Sequence, residues 1–152
     1  LVFSTLHTND ASGAVTTLID MGVEPFLVSS SVIGVLAQRL IRAICPACKE
    51  KYRPTEEELK DIGLSLEEKT DFYQGKGCHK CMNTGYKGRI GIFELMILDD
   101  SIRNLVIGKV PTEEIRKKAI ASGMTTLKEE GIQKIKEGIT TVEEVLRVTE
   151  EE

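Results

Sequence analysis

The chain's four cysteines fall into two pairs, Cys45-Pro46-Ala47-Cys48 and Cys78-His79-Lys80-Cys81, with 29 residues between them. Two intervening residues let a tight turn present both thiolates to one ion, and two such turns complete a tetrahedron of sulfurs around zinc. No cysteine is left over. The spacing predicts a zinc site with Cys45, Cys48, Cys78 and Cys81 as ligands. A four-thiolate shell has no open position for water or substrate, so the Zn2+ is expected to be structural and to pin the base of the insertion between the pairs. Two other chemistries compete for these residues. Cys-Pro-Ala-Cys alone has the form of a thioredoxin-like redox pair, but that motif opens a long helix, which Lys49-Glu50-Lys51-Tyr52-Arg53-Pro54 does not extend. Two structural disulfides would need an oxidising compartment, and no charged leader precedes an apolar stretch. His79, between two ligands, is read as a solvated bystander.

A second candidate lies at Thr5-Leu6-His7-Thr8-Asn9-Asp10-Ala11, where an apolar run gives way to a helix. In open α/β sheets ligands bind at that end of a strand, and the following helix offers free backbone amides to an anion. His7 is then a candidate donor to a phosphate. Its alternative is a hydrogen bond to a turn carbonyl.

The elements that must position these residues follow from periodicity and punctuation. Leu1-Val2-Phe3-Ser4-Thr5-Leu6 predicts a strand buried on both faces, and the start without Met predicts a natural protein that begins earlier. Asn9 or Asp10 caps a helix to about Met21, with Gly22 as its left-handed stop. Pro25 suits the first position of another helix, and residues 26–35 are apolar enough to be buried. Residues 38–44 read as a strand leading into Cys45, with Arg39 and Arg42 on opposite faces. Thr55 and Glu58 form a capping box for a helix ending at Gly63. Residues 86–95, entered through Gly85 and Gly88, read as a strand in a hairpin. Helices at 101–107, 112–122 and 127–137 stop at Gly108, Gly123 and Gly138, and a last one begins after Thr141. Thr126 with Glu129, and Thr141 with Glu144, repeat the capping-box spacing.

Composition narrows the function. The chain has 152 residues, 41% of them hydrophobic and 29% charged, and a net charge of −4. It is globular, with no 18-residue apolar window to cross a membrane, and its acidic balance disfavours a nucleic-acid binder. Residues 1–48 carry only five charges and must be covered as core or interface, whereas residues 49–77 carry fourteen and read as a surface excursion too charged to have much core.

The strings Ser4-Thr5-Leu6-His7-Thr8-Asn9-Asp10-Ala11, Asp20-Met21-Gly22-Val23-Glu24-Pro25-Phe26-Leu27 and Ala37-Gln38-Arg39-Leu40 resemble the C-terminal half of the type II secretion and type IV pilus assembly ATPases. The likeness continues through both cysteine pairs, through Thr84-Gly85-Tyr86-Lys87-Gly88-Arg89-Ile90-Gly91-Ile92-Phe93-Glu94 and Gly123-Met124-Thr125-Thr126-Leu127, and ends at Thr141-Val142-Glu143-Glu144-Val145-Leu146. The resemblance implies a RecA-like, homo-hexameric motor, peripheral to the membrane at the cytoplasmic face of the bacterial inner membrane. It would drive a pilin or pseudopilin assembly platform there. It also implies that His7 senses or polarises the γ-phosphate of ATP and that Thr8 helps hold its loop. Arg39 matches a motif position and is assigned no catalytic role. The chain contains no Gly-x-x-x-x-Gly-Lys-Ser/Thr and no acidic Walker B segment, so ATP and Mg2+ belong to the full-length protein and these residues alone are expected to be inactive.

The expected architecture is α/β: the C-terminal part of a RecA-like ATPase domain with an inserted tetracysteine zinc lobe and a C-terminal helical module. Residues 1–44 would end the nucleotide-binding core, 45–81 form the lobe, 82–98 return to the core as a hairpin strand, and 99–152 form the helical module. The alternative is a stand-alone zinc-binding adaptor, with Lys76, Lys80, Lys87 and Arg89 near the second pair as a nucleic-acid surface. Against it, residues 49–77 hold eight acidic and six basic residues. A salt titration of oligonucleotide binding separates the two: weak binding throughout is expected, and a steep loss with salt would favour the adaptor.

Overall fold

Asp10 starts the first helix: its backbone is extended, its Oδ1 accepts from the Gly13 amide at 2.6 Å, and Gly22, at φ 92°, ends the run. The computed structural model describes residues 1–64 and 70–149. In chain order the elements are α1 (Ala11–Asp20), α2 (Pro25–Ser31), β1 (Gly34–Ile44), β2 (Lys49–Tyr52), α3 (Glu56–Asp61), β3 (Phe72–Gly75), a 3-10 turn (His79–Cys81), β4 (Tyr86–Ile97), α4 (Asp100–Ile107), α5 (Thr112–Ala121), α6 (Leu127–Lys136) and α7 (Val142–Thr149). The class is mixed α/β. Contacts group the chain into two units, Leu1–Gln38 with Phe93–Thr126, and Arg39–Ile92 with Leu127–Glu152.

The first unit buries one apolar stripe from each of its helices. Ala11 and Val15 of α1, Val28 of α2, Ile102 and Val106 of α4, and Ile115 and Ala119 of α5 meet Met96 and Leu98 at the end of β4. Leu98 N–H donates to Ile33 O at 3.0 Å where β1 and β4 adjoin this core. Gly108 ends α4 in a right-handed conformation, and the chain turns left-handed one residue later, at Lys109 (φ 50°).

The second unit is built on a different core. Leu59 and Ile62 around α3, and Phe72 of β3, pack with Ile135 of α6 and with Val142 and Val145 of α7. Gly131 makes the close approach of α6 and α7 possible: a Cβ there would lie 2.6 Å from Cγ1 of Val145. Strands β2 and β3 pair antiparallel, Lys49 opposite Gly75 and Tyr52 opposite Phe72. Thr55 and Glu58 form the full capping box of α3, which ends at Asp61 with Ile62 as its C-cap ahead of Gly63 (φ 76°).

Four expectations need correction. Residues 1–6 form no strand: Leu1, Val2 and Phe3 are 94%, 89% and 87% exposed. A strand needs a neighbour for its backbone groups, and among the described residues the sheets are the pairs β1–β4 and β2–β3. Residues 26–35 are not uniformly buried, because Phe26 and Leu27 lie on the outer side of α2 while Val28 and Ser29 face inward. The 86–95 strand does not sit in a local hairpin. β4 pairs with β1, on the far side of the whole cysteine insertion. Finally, the insertion does have a core, because Leu59, Ile62 and Phe72 find their apolar partners on α6 and α7.

That core yields a direct test. Ile135 is 1% exposed, so Ile135→Ala is expected to cost about 2–5 kcal/mol, read as a lowered urea midpoint.

Candidate metal centre and the histidine segment

Both cysteine pairs sit on turns between strands. β1 ends one residue before Cys45 and β2 begins directly after Cys48, while Cys78 and Cys81 bracket the turn between β3 and β4. The β2–β3 ladder brings the exit of the first pair beside the approach to the second, and Lys76 N–H donates to Cys48 O at 3.0 Å. On the other side Cys45 N–H donates to Gly85 O at 2.8 Å. Gly75 and Gly85 stack backbone on backbone, so a Cβ on either would collide with the other. In the second turn Asn83 N–H donates back to Cys78 O at 2.9 Å, with Met82 and Asn83 both left-handed (φ 52° and 62°).

The result is a cluster of sulfurs. Cys45 and Cys78 Sγ are 4.0 Å apart, Cys48 and Cys81 3.8 Å, and Cys78 and Cys81 3.8 Å. All four lie within 4.8 Å of one another, none is in a disulfide, and together they could hold a metal ion. Cys45 and Cys81 are buried, Cys48 and Cys78 half-buried. His79 is exposed and outside the set. The protonation of the cluster is uneven. Burial, with the neighbouring thiols, pushes Cys48 up to about 12. Burial acts on Cys81 in the same direction, but the Cys78 and Gly85 amides donate to its Sγ at 3.2 and 3.3 Å and bring it down to about 6.

A charged group engages Arg42, three residues before Cys45. Glu144, fully buried at the start of α7, accepts from Arg42 N, Nε and Nη2 at 2.8, 2.8 and 2.6 Å and from Arg147 Nε and Nη2 at 2.8 and 2.7 Å. The Arg42 guanidinium also lies 4.1 Å from the centre of the Tyr86 ring. Burial works to raise the Glu144 pKa, but the bonds from Arg147 and Arg42 overcome it and hold the carboxyl at about 2. The capping box expected at Thr141 and Glu144 is therefore half realised. Glu144 N–H donates to Thr141 Oγ1 at 3.2 Å, while its carboxylate turns to the arginines.

His7 and Thr8 belong to the first unit and the cysteines to the second. His7 is exposed, and Thr8 Oγ1 donates to Asp10 O at 3.1 Å. The sequence predicts free amides at the start of the following helix, but two of them are already taken. Ala11 N–H donates to the buried carboxylate of Glu94 at 2.9 Å and Gly13 N–H to Asp10, whose Oδ2 is paired with Arg116 Nη1 at 3.0 Å. Two carboxylates of the chain itself occupy that helix end.

A family model described as "Type II/IV secretion system protein" matches residues 1–147, through the histidine segment and both cysteine pairs. The chain belongs to this family. It is 51% identical over 152 residues to the type II secretion system protein E of Pseudomonas aeruginosa and 48% identical over 151 to the type II secretion system ATPase E of Vibrio cholerae. It is 49% identical over 151 residues to the type IV pilus assembly ATPase PilB of Thermus thermophilus. These matches cover 100%, 99% and 98% of the chain, but only 30%, 30% and 17% of the three relatives, so the chain spans less than a third of their length. Among the described residues no helix is long and apolar enough to cross a membrane.

Sequence reasoning missed Glu94 and the Arg42–Glu144–Arg147 group. Glu94 sits in the alternating run Ile92, Glu94, Met96, whose members are all buried, but the opposite run of Phe93, Leu95 and Ile97 is equally apolar and hid which face was inner. The sign for Glu144 was a carboxylate three residues before Arg147 and after a capping threonine. Since its pKa of about 2 lies below the ordinary 4.5, its stabilising contribution is complete above pH 4.5 and lost as the pH falls toward 2. Glu144→Gln is expected to flatten that stretch of the stability–pH curve and to cost about 1–3 kcal/mol at neutral pH, measured by urea unfolding.

Proposed function

We propose that this chain is the C-terminal part of a RecA-like ATPase subunit, working as a homo-hexamer in type II protein secretion or type IV pilus assembly, and that its four cysteines hold one structural zinc ion. The reading rests on the continuity of the family match through the histidine segment and both cysteine pairs. Relatives named as secretion and pilus assembly ATPases support the motor assignment. Zinc is supported by the sulfur spacing. A tetrahedron with Zn–S bonds of about 2.3 Å has edges of about 3.8 Å, and three of the Sγ pairs are at 3.8, 3.8 and 4.0 Å. Soft thiolates select such an ion, and a shell closed by four of them serves structure rather than chemistry.

In this reading Cys45, Cys48, Cys78 and Cys81 clamp the two strand ends from which residues 49–77 emerge, and His7 faces the γ-phosphate while Thr8 steadies its turn through the bond to Asp10 O. ATP and Mg2+ are held by a phosphate loop and an acidic Walker B segment outside these residues, since neither motif occurs in the sequence. The assembled motor works at the cytoplasmic face of the inner membrane, peripheral to the platform it drives.

Elemental analysis of the purified chain is expected to return one zinc per chain, with thiols that resist alkylation until a chelator is added. The chain alone is expected to show no ATP turnover, and in the full-length protein His7→Ala is expected to lower kcat roughly a hundredfold. Thiols freely alkylated in a metal-free native chain would remove the zinc, and turnover by the isolated chain would remove the partial-motor reading.

A further inference from the structure

The turn that joins α6 to α7 touches the strand ends that feed both cysteine pairs. Ile139 O accepts from Ile44 N–H at 2.8 Å, one residue before Cys45, and Thr140 Oγ1 donates to Arg42 O at 2.8 Å. Thr141 Oγ1 lies 2.7 Å from Tyr86 Oη, on the first residue of β4 after the second pair. One turn further on, Glu144 takes the Arg42 side chain and amide together, and Arg42 in turn covers the Tyr86 ring. They act on backbone or side chains one to five residues from a cysteine: Ile44 next to Cys45, Arg42 three residues before it, and Tyr86 five residues after Cys81.

We infer that residues 139–144 are the positioning element of the metal centre, so that metal binding and the docking of α7 are energetically coupled. The inference rests on the zinc reading above. Each Cys-x-x-Cys turn sets only its own two sulfurs; the distance between the pairs is set by the β2–β3 ladder on the insertion side, by the Cys45–Gly85 bond, and on the other side by where β1 ends and β4 begins. The 139–144 segment bonds to both of those ends, at Ile44 and Arg42 on one and at Tyr86 on the other, and so holds them at the separation a single ion requires. Whatever holds the ligands in place before the ion arrives lowers the ordering cost of binding it. Linkage makes the effect mutual: the ion must stabilise the docked α7 by the same factor by which docked α7 tightens the ion.

The test uses the 152-residue chain loaded with Co2+ in place of zinc, whose d–d absorption reports the geometry of a four-sulfur site. Glu144→Gln is expected to release metal to a competing chelator roughly tenfold faster than wild type, as loss of an outer-shell partner does, and to shift the cobalt bands. Tyr86→Phe removes only the hydroxyl facing Thr141 and is expected to do the same more mildly, which decides the matter should Glu144→Gln fail to fold. Lys51→Met, which breaks the exposed Lys51–Asp71 pair within β2 and beside β3, is expected to match wild type in both readouts. Conversely, stripping the metal from wild type is expected to speed hydrogen exchange of the α7 amides. Wild-type release and an unshifted spectrum in folded Tyr86→Phe and Glu144→Gln would overturn the inference while leaving zinc in place. A wild-type chain that takes up neither zinc nor cobalt would overturn the zinc reading and this inference with it.

Discussion

Four sulfurs that all lie within 4.8 Å of one another impose the central constraint on the second unit. As thiolates they would repel: two unit charges 4 Å apart at an effective dielectric of 20 cost about 4 kcal/mol. As thiols they would be four small polar groups gathered with little to gain. A cation between them would turn the arrangement from a liability into a clamp. The backbone is already arranged for that exchange, since two amides point at the sulfur of Cys81 and favour its ionised form. The close stacking of Gly75 on Gly85, the left-handed residues Met82 and Asn83, and the β2–β3 ladder are all consequences of bringing two turns from distant parts of the chain to one point.

The cysteine cluster is not the only feature that ties down the insertion. Leu59, Ile62 and Phe72 bury themselves against Ile135, Val142 and Val145, so the charged excursion is anchored by apolar area on α6 and α7. Helix α7 also carries Glu144, a carboxylate that is tolerable in a dry position only because five N–H groups from two arginines satisfy it.

The first unit carries the histidine segment and shows a different economy of charge. The amides at the start of α1 are a natural place for an anion, yet Glu94 and Asp10 already accept from Ala11 and Gly13. A phosphate approaching this helix would have to share it with those carboxylates or be met by side chains instead. His7 is exposed and lies just ahead of the helix.

Local rules determined much of this protein. The Cys-x-x-Cys spacing, the caps at Asp10 and Thr55, Pro25 at a helix start and the glycines that end α1, α3, α5 and α6 act over a few residues, and each is found where its chemistry requires. Decisions that depend on distant partners were made only by the tertiary structure. Residues 1–6 have strand composition but pair with no strand among the described residues; β4 found its partner in β1 across the insertion and not in a hairpin; Glu144 left a local capping role for Arg42, about a hundred residues earlier. The physical reason is common to all three. A hydrogen-bonding or apolar group takes the partner that best satisfies it in space, and a linear pattern names the group without naming the partner.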